Sequence, residues 1–456
     1  MPPGQSDRRK GSKAKSQSQS QSQRTRQPPK QPARNLKPSN DRPNPQSTKS
    51  TLDFNAKIPI PLQQLVLDVF KTALLPSNPA PAPAGATTST LQDTPEQDHN
   101  EPTNEAELDT KTLIQTIKTH LYQRDFDSAF TDAGEDLLRA YALRWSAARA
   151  LGYAGLFRAV LGWMGDGKLN TGRDHDCISH AGNDRTRVVC VGGGAGAEIV
   201  ALAAAWRSLR QQGVDSELEG GSGLKLGSLS LEDEGNMEES EVDVKDVSSS
   251  PSAGLSVAAV DIADWSGVVQ RLERTIKSDA VYTLRSSEYQ PPLVPSGEGD
   301  IGGGLSVSFR KDDVLSVSED ELKDVLLDTG SSSLLVTLMF TLNELFSTSM
   351  AKTTGFLLRM TEILPSNAVL LVVDSPGSYS TLKMGKDKNG APVERNYPMK
   401  FLLDHTLLSV AEGKWERVYT EDSRWWRRDA ERLRYKVGEG AGLEDMRFQL
   451  HLYRRL

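Results

Sequence analysis

Three glycines directly follow an apolar run near the middle of the chain. Gly192, Gly194 and Gly196 come after Val188–Val191 and before a segment rich in Ala and Leu. Glycine has no Cβ, so the backbone can turn tightly there and a ligand can lie against the amides that open the next helix. Strand, glycine turn and helix in this order are typical of the first βα unit of a nucleotide-binding sheet. The alternative is a turn required only by tight packing, because the glycine motif alone has low specificity.

Acidic residues follow the next two predicted strands. Asp261 stands directly after the strand predicted at 255–260, where a carboxylate can accept hydrogen bonds from both ribose hydroxyls of a nucleoside. Its alternative role is a helix N-cap, which Asp264 could fill instead. Asp313 follows the third strand, where methyltransferase folds contact the adenine amino group, and its alternative role is a loop cap. An acid-lined crevice repels pyrophosphate and attracts a sulfonium, so these residues favour S-adenosylmethionine over a nicotinamide dinucleotide.

Two segments have compositions that do not suit a packed core. The chain has 456 residues, 37% of them hydrophobic, and a net charge of −7, whereas globular domains contain roughly 45–50% hydrophobic residues. Residues 1–50 contain twelve Lys or Arg against two Asp, and residues 213–254 contain eleven Asp or Glu against two Lys. We therefore expect a disordered basic arm at 1–55 and a disordered acidic insertion at 213–254. The arm can bind RNA or a nuclear import receptor, or it is only a solvated tail.

Apolar periodicity predicts the remaining organisation. Helical spacing over 58–75 and 104–164 indicates a helical N-terminal subdomain at 56–164, interrupted by a linker at 76–104. From 185 to 456, strands and helices alternate as in a parallel α/β sheet, and the last two strands have the pattern of an antiparallel hairpin. After the glycine turn, the predicted strands are 255–260, 305–309, 334–342, 368–373, 415–419 and 446–453, and the predicted helices are 198–211, 265–277 and 353–364.

The sequence shows neither a signal-peptide core nor an apolar run of membrane-spanning length. The two cysteines, Cys177 and Cys190, suggest no disulfide framework. We therefore expect a soluble protein of the nucleus, including the nucleolus, or of the cytoplasm. We expect no metal site, because the loop 174–180 contains two His but lacks the spacing of a standard zinc site.

Several residue strings together resemble one family, the fungal S-adenosylmethionine-dependent enzymes that methylate N(3) of a uridine in large-subunit ribosomal RNA. The resemblance covers roughly residues 110–456 without the acidic insertion. One departure is that Cys190 stands where an acid commonly precedes the first glycine by two residues. The strings are Tyr141-Ala-Leu-Arg-Trp145, Arg149-Ala-Leu-Gly-Tyr153, Val191-Gly-Gly-Gly-Ala-Gly-Ala-Glu198, Asp261-Ile-Ala-Asp-Trp265, Thr337-Leu-Met-Phe-Thr-Leu-Asn-Glu-Leu-Phe346, Asp374-Ser-Pro-Gly-Ser378 and Asp422-Ser-Arg-Trp-Trp-Arg427.

The resemblance implies that Asn343 and Glu344 lie beside the acceptor base. An imide N–H must lose its proton before the nitrogen can attack, and a carboxylate can accept that proton while an amide contacts the flanking carbonyls. The alternative for this pair is a helix cap with an exposed acid.

Flat rings beside guanidinium groups suit stacking on an unpaired base and contact with its phosphates, so we expect an RNA surface near the end of the chain. Its candidates are Trp425, Trp426 and Arg427, with Arg144 and Arg149 of the helical subdomain lining the same groove. Adjacent residues usually point in opposite directions, so we expect one tryptophan in the core and one outside. For the helical arginines, ion pairs are the alternative.

We therefore expect an α/β, class I (Rossmann-like) methyltransferase sheet preceded by helices, with S-adenosylmethionine as the cofactor. In this prediction Gly192, Gly194 and Gly196 contact the amino-acid end of the cofactor, Asp261 its ribose and Asp313 its adenine. The expected substrate is a uridine N(3) in ribosomal RNA, free or in a pre-ribosomal particle. The alternatives are a methyltransferase that acts on protein and a non-catalytic RNA-binding factor of ribosome assembly.

Overall fold

A seven-stranded sheet forms the centre of the structure. Its strand order is β3-β2-β1-β4-β5-β9-β8. The first five of these strands are parallel, and β9 pairs antiparallel with both β5 and β8. This order confirms the predicted α/β, class I (Rossmann-like) fold with an antiparallel terminal pair. The strands are β1 (Arg185–Val191), β2 (Leu255–Asp261), β3 (Leu305–Lys311), β4 (Ser331–Met339), β5 (Val369–Asp374), β8 (Trp415–Trp426) and β9 (Met446–Arg455).

The computed structural model describes residues 52–76, 108–165, 185–221, 254–295, 304–328, 330–377, 379–386, 392–439 and 441–456, without the side chains of 212–221 and 380–395. All of them belong to one compact unit, Ser50–Leu456. Nearly all of the basic arm, most of the linker and residues 222–253 of the acidic insertion lie outside the described residues. Their predicted disorder stays a prediction, as do the predicted domain boundaries.

Helices cover both faces of the sheet. Every residue of β5 is buried, as are the last four of β1, which is why these strands read as continuous apolar runs. Alternate residues face two separate hydrophobic clusters: Val188 and Cys190 of β1 join one cluster, and Val189 and Val191 join the other. The first cluster includes α5 (Ala197–Gly221) and α6 (Ser266–Ile276), and the second includes α7 (Glu319–Leu326), α8 (Leu342–Thr348), α9 (Met350–Ile363) and α10 (Met399–Asp404).

The N-terminal helices pack into the first of these clusters. They are α1 (Ile60–Leu74), α2 (Thr110–Gln123), α3 (Glu135–Tyr141) and α4 (Ala147–Gly165). Wider π-helical turns lie at Asp127–Thr131 and at Ala142–Ser146, so α3 continues into α4 through one of them. The π-helical turn adds a residue to the helical repeat and rotates all later side chains relative to an ideal helix. None of the described helices is long and apolar enough to cross a membrane.

Three predicted boundaries are wrong. Strand β4 ends at Met339 and not at residue 342, because Phe340 has a left-handed backbone with φ of +61° and Leu342 already begins α8. Helix α5 continues to Gly221 and so includes the first nine residues of the segment predicted as a disordered insertion. Strand β8 continues to Trp426, well past the predicted end at 419, because bulges in its pairing with β9 interrupt the period-two pattern.

Helices α7 and α8 were not predicted, and neither was a hairpin that follows β5. After β5 the chain forms a separate antiparallel hairpin from β6 (Tyr379–Lys386) and β7 (Pro392–Pro398). A register irregularity between residues 383 and 386 breaks the alternation by which such a hairpin is recognised in a sequence. The hairpin lies next to α8 and α10, beside the carboxyl end of β5.

Candidate active site at the carboxyl edge of the sheet

The predicted site residues meet at one edge of the sheet. The glycine turn follows β1, Asp261 ends β2, Asp313 follows β3, and Asn343 and Glu344 follow β4. Because these strands are parallel, their carboxyl ends lie along the same edge. Strand β1 lies between β2 and β4, so the strand order reverses at the glycine turn. Ligands of open α/β sheets bind at such a reversal.

The glycine turn is required by both backbone and packing. Gly192 and Gly196 have positive φ values of +78° and +80°. A Cβ built on Gly194 would lie 2.1 Å from Cδ1 of Trp265, and one on Gly192 would lie 2.3 Å from Oγ1 of Thr341. Side chains are therefore excluded from this turn. The close contacts expected if the glycines are required only by tight packing are present as well. The turn is tied to β2, since Gly194 N–H donates to Oδ2 of Asp261 over 3.1 Å.

Asp261 does not cap helix α6. Its other oxygen accepts the N–H of Ala263 over 3.2 Å, whereas Asp264 accepts both the N–H and the hydroxyl of Ser266 at the start of α6. Burial raises the pKa of the Asp261 carboxyl, and the two backbone hydrogen bonds only partly offset this effect. The adjacent Ile262 has 52% of its surface exposed and presents an apolar surface beside the carboxylate.

The carboxylate of Asp313 accepts hydrogen bonds from the turn that directly follows it in the chain. One carboxylate oxygen accepts the N–H of Leu315 over 3.0 Å, and the other accepts the hydroxyl of Ser316 over 2.7 Å. This is the geometry of the loop-cap alternative. The neighbouring Asp312 forms an ion pair with Arg310.

The turn after β4 is attached to the end of β5. The N–H of Phe340 donates to the carbonyl of Val373 over 2.7 Å, and the N–H of Asn343 donates to Oδ2 of Asp374 over 2.9 Å. Among the described residues, none is a hydrogen-bond partner for the buried Oδ1 of Asn343. Glu344 is exposed.

Asp374 is a site residue to which we assigned no role from the sequence. It is 3% exposed, and burial raises its pKa to about 6, although N–H donation from Asn343 and Ser375 acts in the opposite direction. The charge of Glu344 also raises this pKa, so the two carboxylates are close enough to interact. The available signal was the position of an acid directly after the fifth strand.

Glu198 is the second such residue. It is 3% exposed in the first turn of α5 and accepts the hydroxyl of Thr337 over 2.7 Å. Burial raises its pKa to about 8, and the charge of Asp261 adds to this effect. A Cβ built on Gly193 would lie 2.6 Å from Cβ of Cys190 and 2.8 Å from Oε2 of Glu198. A carboxyl group therefore lies directly beside Cys190, the position at which the resembling family commonly has an acid.

The two tryptophans at the end of β8 point in opposite directions, as expected. Trp425 is 51% exposed and Trp426 is 8% exposed. The guanidinium of Arg427 lies 4.0 Å from the ring centroid of Trp425, and Nη1 of Arg427 also donates to Asp445 over 2.6 Å. Gln449 of β9 pairs with Asp374, and β9 begins three residues earlier at Met446. The tip of the β8–β9 pair therefore projects about 10 Å beyond the end of β5.

The structure does not place Arg144 or Trp426 on an RNA surface. Arg144 is 7% exposed, donates to the carbonyl of Gly442 over 3.1 Å and forms an ion pair with Glu444. Trp426 packs against Gly152 of α4, where a Cβ would lie 3.5 Å from its ring. The ion-pair and core alternatives therefore describe these two side chains, and the exposed candidates are Trp425 and Arg427.

A groove of about 530 Å³ lies at the opposite, amino edge of the sheet. Its lining includes Thr186, Leu255, Ser331 and Ala368, at or next to the first residues of four parallel strands, and it contains none of the predicted site residues. Within the described part of the chain, no group of three or more His, Cys, Asp or Glu side chains is placed to hold a metal ion. The loop 174–180 lies outside that part.

Comparison with known proteins agrees with the chemistry of this edge. Residues 93–454 match the model of a family described as “Putative SAM-dependent methyltransferase”. The 25S rRNA (uridine(2843)-N(3))-methyltransferase of Saccharomyces cerevisiae is 32% identical over 345 residues, which cover 75% of this chain and 76% of that protein.

Solved structures of methyltransferases also align with the chain. A SAM-dependent methyltransferase from Methanosarcina mazei aligns with a TM-score of 0.28 and 11% identity, covering 59% of this chain and 92% of that one. The N-methyltransferase NodS from Bradyrhizobium japonicum, in complex with S-adenosyl-L-homocysteine, aligns with a TM-score of 0.24 and 10% identity, covering 59% and 78%.

Proposed function

This chain belongs to the SAM-dependent methyltransferase family, and we propose that it methylates N(3) of a uridine in large-subunit ribosomal RNA. The observation that carries the proposal is the order of chemical groups along the carboxyl edge. The glycine turn and Asp261 form a cofactor flank (Gly192–Gly196 and Asp261). Asn343, Glu344 and Asp374 follow in the centre, and Trp425 and Arg427 form an RNA flank at the far end. The relative from Saccharomyces cerevisiae is named for this reaction.

The residues of the cofactor flank and the centre fit S-adenosylmethionine. The cofactor is cationic at its sulfur, and the carboxyl groups of Asp261 and Asp374 stand at the ends of β2 and β5 on this edge. Gly192, Gly194 and Gly196 would lie against its amino-acid end, Asp261 would accept its ribose hydroxyls, and Asp313 would lie near its adenine. When bound, the cofactor supplies a methyl group on a sulfonium that is already a good leaving group, so positioning supplies most of the rate.

The central residues would control the proton on the acceptor. N(3) of uracil carries a hydrogen between two carbonyl groups, and this proton must leave before the nitrogen can act as a nucleophile. Glu344 is exposed and would accept the proton, while the amide of Asn343 would contact a flanking carbonyl. Asp374 would hold this turn in place through its hydrogen bond with the Asn343 N–H.

The RNA flank would hold the target base outside a helix. An unpaired base can stack on the exposed ring of Trp425, and Arg427 places positive charge at the same ring. The net charge of residues 1–50, with twelve Lys or Arg against two Asp, supports a contribution of the basic arm to RNA affinity. Such an enzyme would act in the nucleus or the cytoplasm, on RNA or on a pre-ribosomal particle.

A labelling experiment tests the proposal. The full chain is incubated with methyl-labelled S-adenosylmethionine and large-subunit ribosomal RNA, and the digested RNA is analysed for 3-methyluridine by mass spectrometry. We expect label in 3-methyluridine, and we expect about 100- to 10,000-fold less with Glu344→Gln. Label in protease-sensitive material would instead identify a protein methyltransferase. Cofactor-independent RNA binding without any transfer would identify a non-catalytic assembly factor.

A further inference from the structure

Arg149 is a cation held inside the carboxyl edge. It lies in the first turns of α4, and its Nη1 donates to the phenol oxygen of Tyr141 over 2.9 Å. Its guanidinium carbon lies 5.3 Å from the ring centroid of Phe340 and 6.0 Å from that of Tyr141. Both rings restrict the side chain to one position. A guanidinium has five N–H donors, and among the described residues Arg149 uses one of them.

The aromatic neighbours of Arg149 connect it to the ends of both β2 and β4. Phe340 directly follows β4. On the other side, the ring of Tyr141 lies 5.7 Å from that of Trp265, which follows β2 and covers Gly194. Strand β1 lies between β2 and β4, so a group that contacts both sides spans the end of β1. This is the position that we propose for the amino-acid end of the cofactor.

Two acidic side chains lie within electrostatic reach of Arg149, namely Glu198 and Asp374. Burial lowers the pKa of Arg149, but the nearby Tyr141, Tyr153 and Glu198 outweigh burial and raise it. Arg149 in turn acts electrostatically on Glu198 and Asp374. These carboxyl groups suit the sulfonium and the ammonium of the cofactor, but they would repel its carboxylate.

We propose that Arg149 binds the α-carboxylate of the amino-acid end of S-adenosylmethionine. This inference rests on the cofactor site in the proposed function, but not on the identity of the RNA. A guanidinium matches a carboxylate with two parallel N–H bonds, and this geometry is most valuable where water is excluded. The contact would also join the N-terminal helices to the ligand, because Arg149 belongs to α4.

Ligands with and without the carboxylate test this contact directly. Calorimetry on the full chain compares S-adenosylmethionine with decarboxylated S-adenosylmethionine, which lacks only that group. For Arg149→Met we expect S-adenosylmethionine to bind about 30-fold more weakly or worse, since one partner of a buried charge pair is removed. The affinity for the decarboxylated ligand should change by less than about threefold, because that ligand never made the contact. Tyr141→Phe keeps the ring but removes the hydroxyl group. It should also weaken the binding of S-adenosylmethionine and not that of the decarboxylated ligand, by a smaller factor than Arg149→Met.

Arg210→Met is the matched control. Arg210 also lies over an aromatic ring, 4.6 Å from the centroid of Trp206, but it lines the groove at the amino edge. We expect no change for either ligand. Equal losses for both ligands in Arg149→Met and Tyr141→Phe would overturn the proposal and leave Arg149 a packing role. Unchanged cofactor affinity with weaker RNA binding would assign Arg149 to an RNA phosphate. Binding of cofactor without 3-methyluridine formation would contradict the proposed function and leave this inference intact.

Discussion

The cofactor flank and the RNA flank occupy the same edge of one sheet but are built in opposite ways. In the cofactor flank the surface is backbone without side chains, because a Cβ built on Gly192 or Gly194 would collide with Thr341 or Trp265. In the RNA flank a large ring, Trp425, is exposed on strands that project beyond the sheet. A small rigid cofactor requires a preformed turn, whereas an unpaired base requires an accessible flat surface. The two flanks should therefore respond separately to mutation.

Removing the carboxylate between the flanks should have the largest effect. We expect Glu344→Gln to lower turnover by about 100- to 10,000-fold, because a positioned base is lost, while cofactor and RNA affinities stay within twofold, or about 0.4 kcal/mol. Single-turnover methylation and calorimetry measure these quantities. Glu412→Gln, at an exposed acid after α10, is the control and should retain full activity. Normal turnover in Glu344→Gln would assign proton removal to another group.

A methyl group in the glycine turn should damage only the cofactor flank. In Gly194→Ala the added Cβ would overlap Trp265, so the turn must shift. We expect unfolding free energy to fall by about 1–3 kcal/mol and kcat/KM for the cofactor to fall about 100-fold, since misplacement near 1 Å has that effect. RNA affinity should not change. Gly134→Ala is the matched control, because no heavy atom lies within 4 Å of its built Cβ. Loss of RNA affinity in Gly194→Ala would show that the flanks are coupled.

Truncation of the exposed ring should damage only the RNA flank. Trp425→Ala should weaken RNA binding by about 1–3 kcal/mol, or roughly 5- to 150-fold, through lost stacking. Trp425→Tyr keeps a flat ring and should recover most of this affinity. Fluorescence anisotropy with a labelled RNA fragment measures the change, and calorimetry should show unaltered cofactor binding. If Trp425→Ala binds RNA normally, the RNA surface lies elsewhere.

The last expected effect is on the pH dependence of the free energy of unfolding. Glu198 has a pKa raised from 4.5 to about 8 in the folded protein. Between these values the folded state keeps a proton that the unfolded chain releases, so stability is full below pH 4.5 and falls as pH rises to about 8. The slope from this group is about 1.4 kcal/mol per pH unit.

Urea denaturation at pH 5.5 and pH 8 measures this slope, and Glu198→Gln should remove it. The RNA flank should contribute little, because its acid Asp445 is paired with Arg427 at the surface, where such pairs have small effects. An unaltered slope in Glu198→Gln would show that Glu198 is ionised in the folded state.

Local pattern predicted the strands, the glycine turn and the acids that follow each strand, because each depends on residues close together in the chain. Element ends were less predictable. The positive φ of Phe340 and the bulges of β8 arise from contacts with β5 and β9, which are distant in sequence. Asp374 and Glu198 were missed for a related reason: only burial distinguishes their carboxyl groups from ordinary surface acids.

Arg144 and Arg149 are the clearest case in which the sequence did not predict the surroundings of a side chain. Both are arginines of one helical segment, and both were expected to line an RNA groove. In the structure Arg144 pairs with Glu444, whereas Arg149 lies against the rings of Phe340 and Tyr141 at the carboxyl edge of the sheet.

The sequence by itself determined which chemical groups follow which strand along the chain. Glycines follow the first strand, an acid follows the second, and an amide and an acid follow the fourth. Only the tertiary structure decided which charged side chains are buried at the carboxyl edge of the sheet and which are exposed. The physical reason is that apolar periodicity depends on near neighbours, whereas burial and the direction of a long side chain depend on how whole helices pack against the sheet.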